Sequence, residues 1–232
     1  MAISLHNMAN FNELSIVIPV GSGDSYWYQL VNQLDIFGNE VEIILAACQC
    51  CPADINLPEN VQWLQSTQGR AKQLNAGARK VLRRFIWFLH ADTRLTSEVS
   101  EAVQTFIDTD ARSMGYFRLK FSCDGPGQTQ LNGWAANIRS RYFDLPFGDQ
   151  GFVMNRTIFD QLNGFDESVV VGEDLDFVVR LKAADILLQE LPAELLTSAR
   201  RYQQNGWFVT TVRHLWLTWY LTYQAKRRVV LG

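Results

Sequence analysis

His90 and Asp92 follow directly after an uninterrupted apolar run, residues 85–89. Such a run is typical of a strand that is buried on both faces of a parallel sheet. In an extended segment, residues two apart point to the same side, so the imidazole and the carboxylate are expected to face one ligand. Ligands of open α/β sheets bind beyond the carboxyl ends of the strands. The pair therefore indicates a divalent-metal site, suited to Mn²⁺ or Mg²⁺; the alternative is a polar loop in which Asp92 caps the next helix.

A predicted helix over residues 69–83 opens with Gly69 and places Arg70, Gln73 and Asn75 in its first turns. A helix N-terminus carries a partial positive charge and unpaired N–H groups, and a guanidinium can bind phosphate oxygens in pairs. This pattern predicts a diphosphate-binding site. The alternative is a solvated helix start.

Two further charged groups come later in the chain. Glu173 and Asp174 are neighbouring carboxylates at the start of another predicted helix, where one of them could take a proton from a hydroxyl acceptor. The alternative is that both only stabilise the helix N-terminus. Arg200 and Arg201 lie beside Tyr202, a combination that could hold a departing phosphate.

The elements that must position these residues follow from periodicity. Strands are predicted at residues 14–20, 40–47, 61–65 and 85–89, with helices at 26–37 and 69–83. Strands that alternate with helices predict a parallel sheet with right-handed crossovers. The second half continues with helices at 97–108, 131–143, 156–162 and from the acidic patch to 184, and with strands at 114–121, 152–154 and 186–191. We therefore predict a loose leader (1–13), one α/β domain (14–205, with halves 14–95 and 96–205) and a C-terminal helix (206–232).

The amino-acid composition limits the classes of function that are expected for this chain. The chain has 232 residues, is 47% hydrophobic and has a net charge of −3, which does not favour a nucleic-acid partner. It has neither a secretion signal nor an apolar run long enough to span a membrane, so we expect a cytoplasmic protein. Its four cysteines do not show zinc-ligand spacing and are expected to be reduced thiols.

The C-terminal helix is rich in aromatic residues, among them Trp216, Trp219 and Tyr220, and ends in the basic run 226–228. Such a helix can lie weakly on an anionic membrane surface, which would make the protein peripheral to the inner face of the membrane. Alternatively, its aromatics pack on the body of the protein or on a second subunit of a homodimer. We favour the alternative.

An ordered set of motifs runs through the chain: SIVIP (15–19), GRAKQLNAGA (69–78), FLHADTRL (88–95), LPFGDQG (145–151), GF (164–165), ED (173–174) and TSARR (197–201). This set resembles the family 2 glycosyltransferases of the GT-A fold, most closely a bacterial subgroup associated with arsenosugar biosynthesis. Together the motifs cover residues 14 to about 202. The resemblance implies a single α/β domain with a mixed, mostly parallel sheet flanked by helices and a Rossmann-like N-terminal half.

The resemblance also implies an activity and residue roles. A sugar would move from a nucleotide-diphosphate sugar to a hydroxyl acceptor of unknown identity, with metal assistance and inversion. Asp92 matches the last acid of the family's metal-binding motif and His90 the first, while Asp174 matches the base, with Glu173 beside it. Gly148, Asp149 and Gln150 match the loop at the sugar and acceptor. The donor-binding set comprises Pro19, Val20, Gly69, Arg70, Gln73, Asn75, His90, Ala91, Asp92, Arg200 and Arg201.

One segment departs from the family pattern. After the second strand the family carries an acidic loop that holds the nucleobase, but this chain has LAACQCC at residues 45–51. A second interpretation therefore stays open, a non-catalytic sugar-nucleotide-binding homologue that acts as a partner or regulatory subunit. A nucleotidyltransferase is less favoured, because the basic glycine-rich loop of such enzymes is missing.

Overall fold

The computed structural model describes residues 11–109, 111–122, 124, 127–199 and 207–231. Arg200, Arg201, Cys123 and residues 1–10 of the predicted leader lie outside the described residues. The strands are β1 (Leu14–Val20), β2 (Glu42–Ala47), β3 (Val61–Gln65), β4 (Phe85–Phe88), β5 (Arg94–Leu95), β6 (Ser113–Phe121), β7 (Phe152–Asn155) and β8 (Leu187–Thr197). The helices are α1 (Tyr26–Gln33), α2 (Arg70–Lys80), α3 (Val99–Thr109), α4 (Thr129–Phe143), α5 (Arg156–Gln161), α6 (Glu173–Ala183) and α7 (Trp207–Leu231), with 3₁₀ turns at Leu34–Phe37 and Gly148–Gln150.

These strands form one eight-stranded sheet in the order β3-β2-β1-β4-β7-β6-β8-β5. The first four are mutually parallel, β7 runs antiparallel to both β4 and β6, β8 is parallel to β6, and β5 is antiparallel to β8. The predicted α/β class with a mixed, mostly parallel sheet is confirmed. The carboxyl ends of β1, β2 and β4 therefore meet at one edge of the sheet.

Strand β4 shows why its sequence lacks alternation. Phe85 and Trp87 lie in the core on one face of the sheet, and Ile86 and Phe88 lie in the core on the other face. Both faces are covered by helices, so a central strand has no solvated side. The apolar run therefore follows from a position in the middle of the sheet.

The largest difference between a predicted and an observed strand end is in β8. This strand continues to Thr197 instead of ending at residue 191. Pro192 follows directly after residue 191, and a proline cannot donate to a sheet ladder. In the structure Leu191 pairs with Phe117 and Glu194 pairs with Arg118, so Pro192 and Ala193 are bulged out of the register. The pairing resumes beyond the bulge, which is a tertiary effect.

Helix α7 packs on α6. Arg228 Nη1 lies 3.3 Å from Asp176 Oδ1, and a Cβ on Gly172 would meet Leu221. Trp216 and Trp219 stay 59% and 70% exposed, so these two side chains are not buried on the body of the chain. The membrane surface and the second subunit remain predictions. Among the residues described, no helix combines the length and the apolar character needed to cross a bilayer.

Candidate active site

A cavity of about 400 Å³ opens beyond the carboxyl end of β4. It lies among the N-termini of α2 and α6, the end of β8, the Gly148–Gln150 turn and one side of α7. Its polar and charged lining comprises Arg70, His90, Asp92, Asp149, Glu173, Asp174, Thr197, Ser198 and Thr218. Residues from both predicted halves of the domain therefore meet in one place.

Arg70 is the central cation of this cavity. It is the first residue of α2, where the preceding Gly69 has a φ of 134°, a conformation that favours glycine. Its Nε lies 3.0 Å from Glu173 Oε1, and its Nη2 lies 3.9 Å from Asp174 Oδ2 and contacts His90 Nε2. One guanidinium thus faces two carboxylates and an imidazole.

His90 and Asp92 both line this cavity, but their backbone does not have the extended conformation that was predicted. The N–H of Thr93 donates to the carbonyl of His90 at 3.1 Å, so residues 90–93 form a turn instead of an extended continuation of β4. The reason is that β4 ends at Phe88, where its partner β7 begins with Phe152. Ala91, between the two side chains, is buried.

The Gly148–Gln150 turn brings the β7 side of the sheet to α6. The N–H of Gly148 donates a 2.7 Å hydrogen bond to Asp174 Oδ2, and the N–H of Leu175 donates to Asp174 Oδ1 at 2.8 Å. A Cβ at Gly148 would meet Arg70 Nη2, Asp174 Oδ2 and His90 Nε2. Position 148 therefore has room only for glycine.

Asp149 lines the cavity from the Gly148–Gln150 turn. Its Oδ1 is buried and has no hydrogen-bond partner among the described residues. Burial raises the pKa of Asp149 to about 6; the nearby Arg139 guanidinium opposes the rise, and the negative charge of Asp174 adds to it. This carboxyl group therefore exchanges its proton near neutral pH.

Glu173 is the most buried acid of the cavity, with 5% of its surface exposed. Burial raises its pKa, the Arg70 guanidinium counteracts that rise, and Asp174 contributes to it. Both acids sit in the first turn of α6, where the helix dipole stabilises negative charge. The less buried Asp174, whose side chain is 14% exposed, is the more accessible of the two to a substrate.

Three predicted site residues use their side chains elsewhere. Gln73 is buried and donates to the carbonyls of Val20 and Ala46, at 2.8 and 2.7 Å, which joins the ends of β1 and β2. Asn75 exchanges hydrogen bonds with the backbone of Phe165. Gln150 accepts from Ser140 Oγ at 2.6 Å and donates to the carbonyl of Phe117 at 2.9 Å. These amides hold the frame of the site.

The remaining predicted donor residues on β1 are at its carboxyl end. Pro19 is half-buried, Val20 is buried, and the carbonyl of Val20 receives the Gln73 amide. They lie at the sheet edge beside the cavity rather than in its lining.

The side chains of the cavity fit a divalent metal ion only if the substrate supplies the remaining ligands. In the part of the chain that the structure describes, no three histidine, cysteine or acidic side chains cluster to hold a metal. Asp92 supplies hard carboxylate oxygens to the cavity, and Mg²⁺ and Mn²⁺ often take one or two carboxylates plus substrate phosphates. His90 Nε2 contacts the Arg70 guanidinium, so ligation through this atom requires that Arg70 move.

Sequence reasoning did not assign several residues that the structure brings to the site. Arg139 on α4 lies with its guanidinium carbon 3.4 Å from the ring centroid of Phe147, and Phe147 lines the cavity. Leu217 and Leu221 of α7 line it as well. Phe147 lies within the LPFGDQG motif, so a local signal for it was present. The contribution of α7 depends on long-range packing and has no such signal.

The eight-stranded mixed sheet with its flanking helices is an α/β fold of the GT-A glycosyltransferase type. No family model matches the sequence, and no curated protein matches it. Among solved structures, residues 1–349 of S. aureus TarS are similar, with a TM-score of 0.59 and 17% identity over 81% of this chain and 58% of the TarS chain. The same TarS fragment crystallised with UDP gives a TM-score of 0.57 at 17% identity, and with UDP-GlcNAc 0.54 at 17% identity.

In these complexes the match covers 81% of this chain, with 58% and 56% of the TarS chain, respectively. The chain therefore spans a little over half the length of the TarS fragment that it matches. At this level of sequence identity, the similarity shows the fold alone.

Proposed function

We propose that this protein transfers a sugar from a nucleotide-diphosphate sugar to a hydroxyl acceptor, with metal assistance and inversion at the sugar carbon. The observation that carries this proposal is the convergence of Arg70, Asp92, Asp149 and Asp174 on one cavity at the carboxyl edge of the sheet. Support for the donor class comes from TarS, which has been crystallised with UDP and with UDP-GlcNAc. Among family 2 enzymes, the arsenosugar-associated subgroup stays our proposed relative.

The donor's diphosphate would bind at the N-terminus of α2. Arg70 presents its guanidinium to the cavity, and the unpaired N–H groups of the first helical turn attract anions. Asp92 would hold a Mn²⁺ or Mg²⁺ ion, which when bound stabilises negative charge on the leaving diphosphate. Arg70 adds to this stabilisation from the protein side.

Asp174 is our proposed general base. The acceptor O–H gives its proton to the carboxylate, the acceptor oxygen forms a bond to the anomeric carbon, and the bond from that carbon to the diphosphate oxygen breaks with its electron pair on the diphosphate. The hydrogen bonds from the N–H groups of Gly148 and Leu175 fix the orientation of this carboxylate. Glu173 beside it is buried against Arg70 and positions that cation.

One observation favours the non-catalytic alternative. The loop after β2 places Gln49 near the end of β1, where its Oε1 accepts from the N–H of Gly23 at 3.3 Å and its carbonyl accepts from Trp63 Nε1 at 2.9 Å. The family holds the nucleobase with an acid from this loop, and Gln49 is neutral. Weaker base recognition would suit a protein that binds a sugar nucleotide without turning it over.

A screen of nucleotide sugars with and without Mn²⁺ distinguishes the glycosyltransferase from the non-catalytic binding homologue. Transfer or slow hydrolysis of a sugar nucleotide, with release of the nucleoside diphosphate, supports the enzyme. Binding in calorimetry without turnover under any metal condition supports the regulatory subunit. The absence of both binding and turnover across UDP, GDP and their sugars would contradict both proposals.

A further inference from the structure

A second cavity, of about 590 Å³, lies between α4 and α7. Carbon atoms dominate its walls, with Leu119, Ile138, Phe143, Leu145 and Trp219 among the lining residues. Its polar lining groups are the hydroxyls of Thr211, Thr218, Thr222 and Tyr223, the amide of Asn132, and the charged side chains of Arg139, Asp149 and Lys226. Asn132 donates to the Thr211 hydroxyl, and the Thr222 hydroxyl donates to the carbonyl of Thr218. The lining therefore offers mainly apolar contact.

This apolar cavity adjoins the candidate active site. Phe121, Phe147, Asp149 and Thr218 line both cavities. A ligand in the second cavity thus ends beside the residues that would perform the transfer. Its polar end would lie within the reach of Asp149 and, beyond it, of Asp174.

Asp149 marks the junction. Its Oδ1 is buried and, within the described residues, lacks a hydrogen-bond partner. A buried oxygen without a partner costs free energy, which a hydroxyl donor placed at this point would recover. The neighbouring Arg139 cannot easily rotate in to supply it, because its Nε donates to the carbonyl of Leu145 at 2.9 Å and its guanidinium lies on the Phe147 ring.

We propose that the cavity between α4 and α7 is the acceptor site and that the acceptor is an amphiphile, with an apolar group in this cavity and a polar end that places one hydroxyl at Asp149 and the reacting hydroxyl at Asp174. This inference rests on the proposed glycosyl transfer and specifies its acceptor class. A wholly polar acceptor would lose its water to walls that return few hydrogen bonds. An apolar group gains binding free energy from the same walls. The transferred sugar joins the reacting hydroxyl oxygen of the acceptor by the bond changes given above.

Calorimetry with n-alkyl β-D-glucosides, from hexyl to decyl and each below its micelle concentration, tests the site, with glucose as the ligand that lacks a chain. We expect a stoichiometry near one and affinity that rises about fourfold with each added methylene, the equivalent of about 0.8 kcal/mol per buried CH₂. Affinity that does not depend on chain length would overturn the proposal.

Two pairs of matched variants locate the binding. Ala135→Phe fills the apolar cavity from α4, whereas Ala183→Phe makes the same change at an exposed position at the end of α6. Trp219→Ala removes part of the cavity wall, whereas Trp134→Ala removes a similarly exposed tryptophan of α4 that does not line the cavity. We expect at least a tenfold loss of decyl glucoside affinity in the first member of each pair and no change in the second. Equal affinities within both pairs would contradict the site.

Titration of UDP into the same proteins keeps the two proposals apart. UDP binding that is unchanged in all four variants, with the expected loss of glucoside binding, supports both. If glucosides bind as expected but neither UDP nor any other nucleoside diphosphate binds, the donor site is wrong and the apolar site stands. If UDP binds and the glucosides show no chain-length dependence, the acceptor inference alone is wrong.

Discussion

Arg70 Nε on α2 and Glu173 Oε1 on α6 form an ion pair at 3.0 Å across the candidate active site. Both atoms are buried, and neither has a hydrogen bond of normal geometry among the described residues. The pair joins two elements that lie about a hundred residues apart in the chain. Because the Arg70 side chain is 37% exposed while that of Glu173 is 6% exposed, the cation can also reach a ligand in the cavity.

We predict that Arg70→Ala weakens the binding of a nucleoside diphosphate by about 1.5–3 kcal/mol, the range for hydrogen bonds to charged groups. Calorimetry with UDP or GDP measures the change. Arg79→Ala is the matched control, because Arg79 lies on the same helix, is 68% exposed and pairs with Glu167 at 3.7 Å. Equal affinities in the two folded variants would remove Arg70 from the donor site.

Asp92→Asn should abolish the dependence of nucleoside-diphosphate binding on Mn²⁺. The amide oxygen is a weaker ligand for a hard cation than the carboxylate that it replaces. Titrations of wild type and variant, each with metal and with chelator, measure the effect. Wild-type binding that is indifferent to chelator would show that the donor is held without a metal.

Asp174→Asn should lower the rate of transfer or donor hydrolysis by about 10²–10⁴-fold, the usual contribution of a general base, and leave donor affinity largely intact. Glu173→Gln should cost less, because Glu173 acts on Arg70 and not on the acceptor. Steady-state rates together with UDP titrations separate the two effects. Full activity in Asp174→Asn would transfer the role of base to Asp149.

The pKa of Asp149 predicts a pH-dependent stability. Because its pKa is about 6 in the folded chain against an ordinary 3.8, the folded state holds a proton between these values that the unfolded chain has lost. Stability therefore falls as pH rises from about 4 to 6 and stays reduced above that. Asp149→Asn removes the loss, so we expect its free energy of unfolding to exceed that of wild type by up to about 3 kcal/mol at pH 8, with no excess near pH 4.

Urea unfolding of both proteins across this range checks the sign. Among the described residues, the charged groups that act most strongly on Asp149 are Arg139, Asp174, Arg70 and Asp92, and all of them are kept in the variant. Asp160→Asn serves as the control, because that carboxylate is 60% exposed on α5. A difference between wild type and Asp149→Asn that is constant with pH would contradict the raised pKa.

Gly148→Ala should impair activity more than stability. Its new methyl group would displace Arg70 Nη2, Asp174 Oδ2 and His90 Nε2, and the side chains can move where the backbone cannot. We expect at least a tenfold loss in kcat/KM, since small displacements of catalytic groups have large effects. Gly127→Ala is the matched control, because a Cβ there meets nothing within 4 Å. Wild-type kinetics in Gly148→Ala would show that the geometry at this point does not matter.

Local patterns in the sequence predicted the order of the elements and the polar residues at their ends. The apolar run of β4 and the residues His90 and Asp92 were readable because a central strand is buried on both faces and its ligand groups follow it directly. The helix that starts at Arg70 and the acids that open α6 were readable for the same local reason. Each of these predictions depends on neighbours within about one helical turn or one strand.

Which side chains share the site depends on packing between elements that are far apart in the chain. Gln73, Asn75 and Gln150 have the polar groups of ligand-binding residues, but they hydrogen-bond to distant backbone and support the frame. Strand β8 continues past Pro192 through a bulge, because its pairing with β6 resumes beyond that residue. The apolar cavity beside Asp149 exists because α4 and α7, which are far apart in sequence, enclose it. A single sequence does not encode such pairings locally, since they follow from how the faces of distant elements fit together.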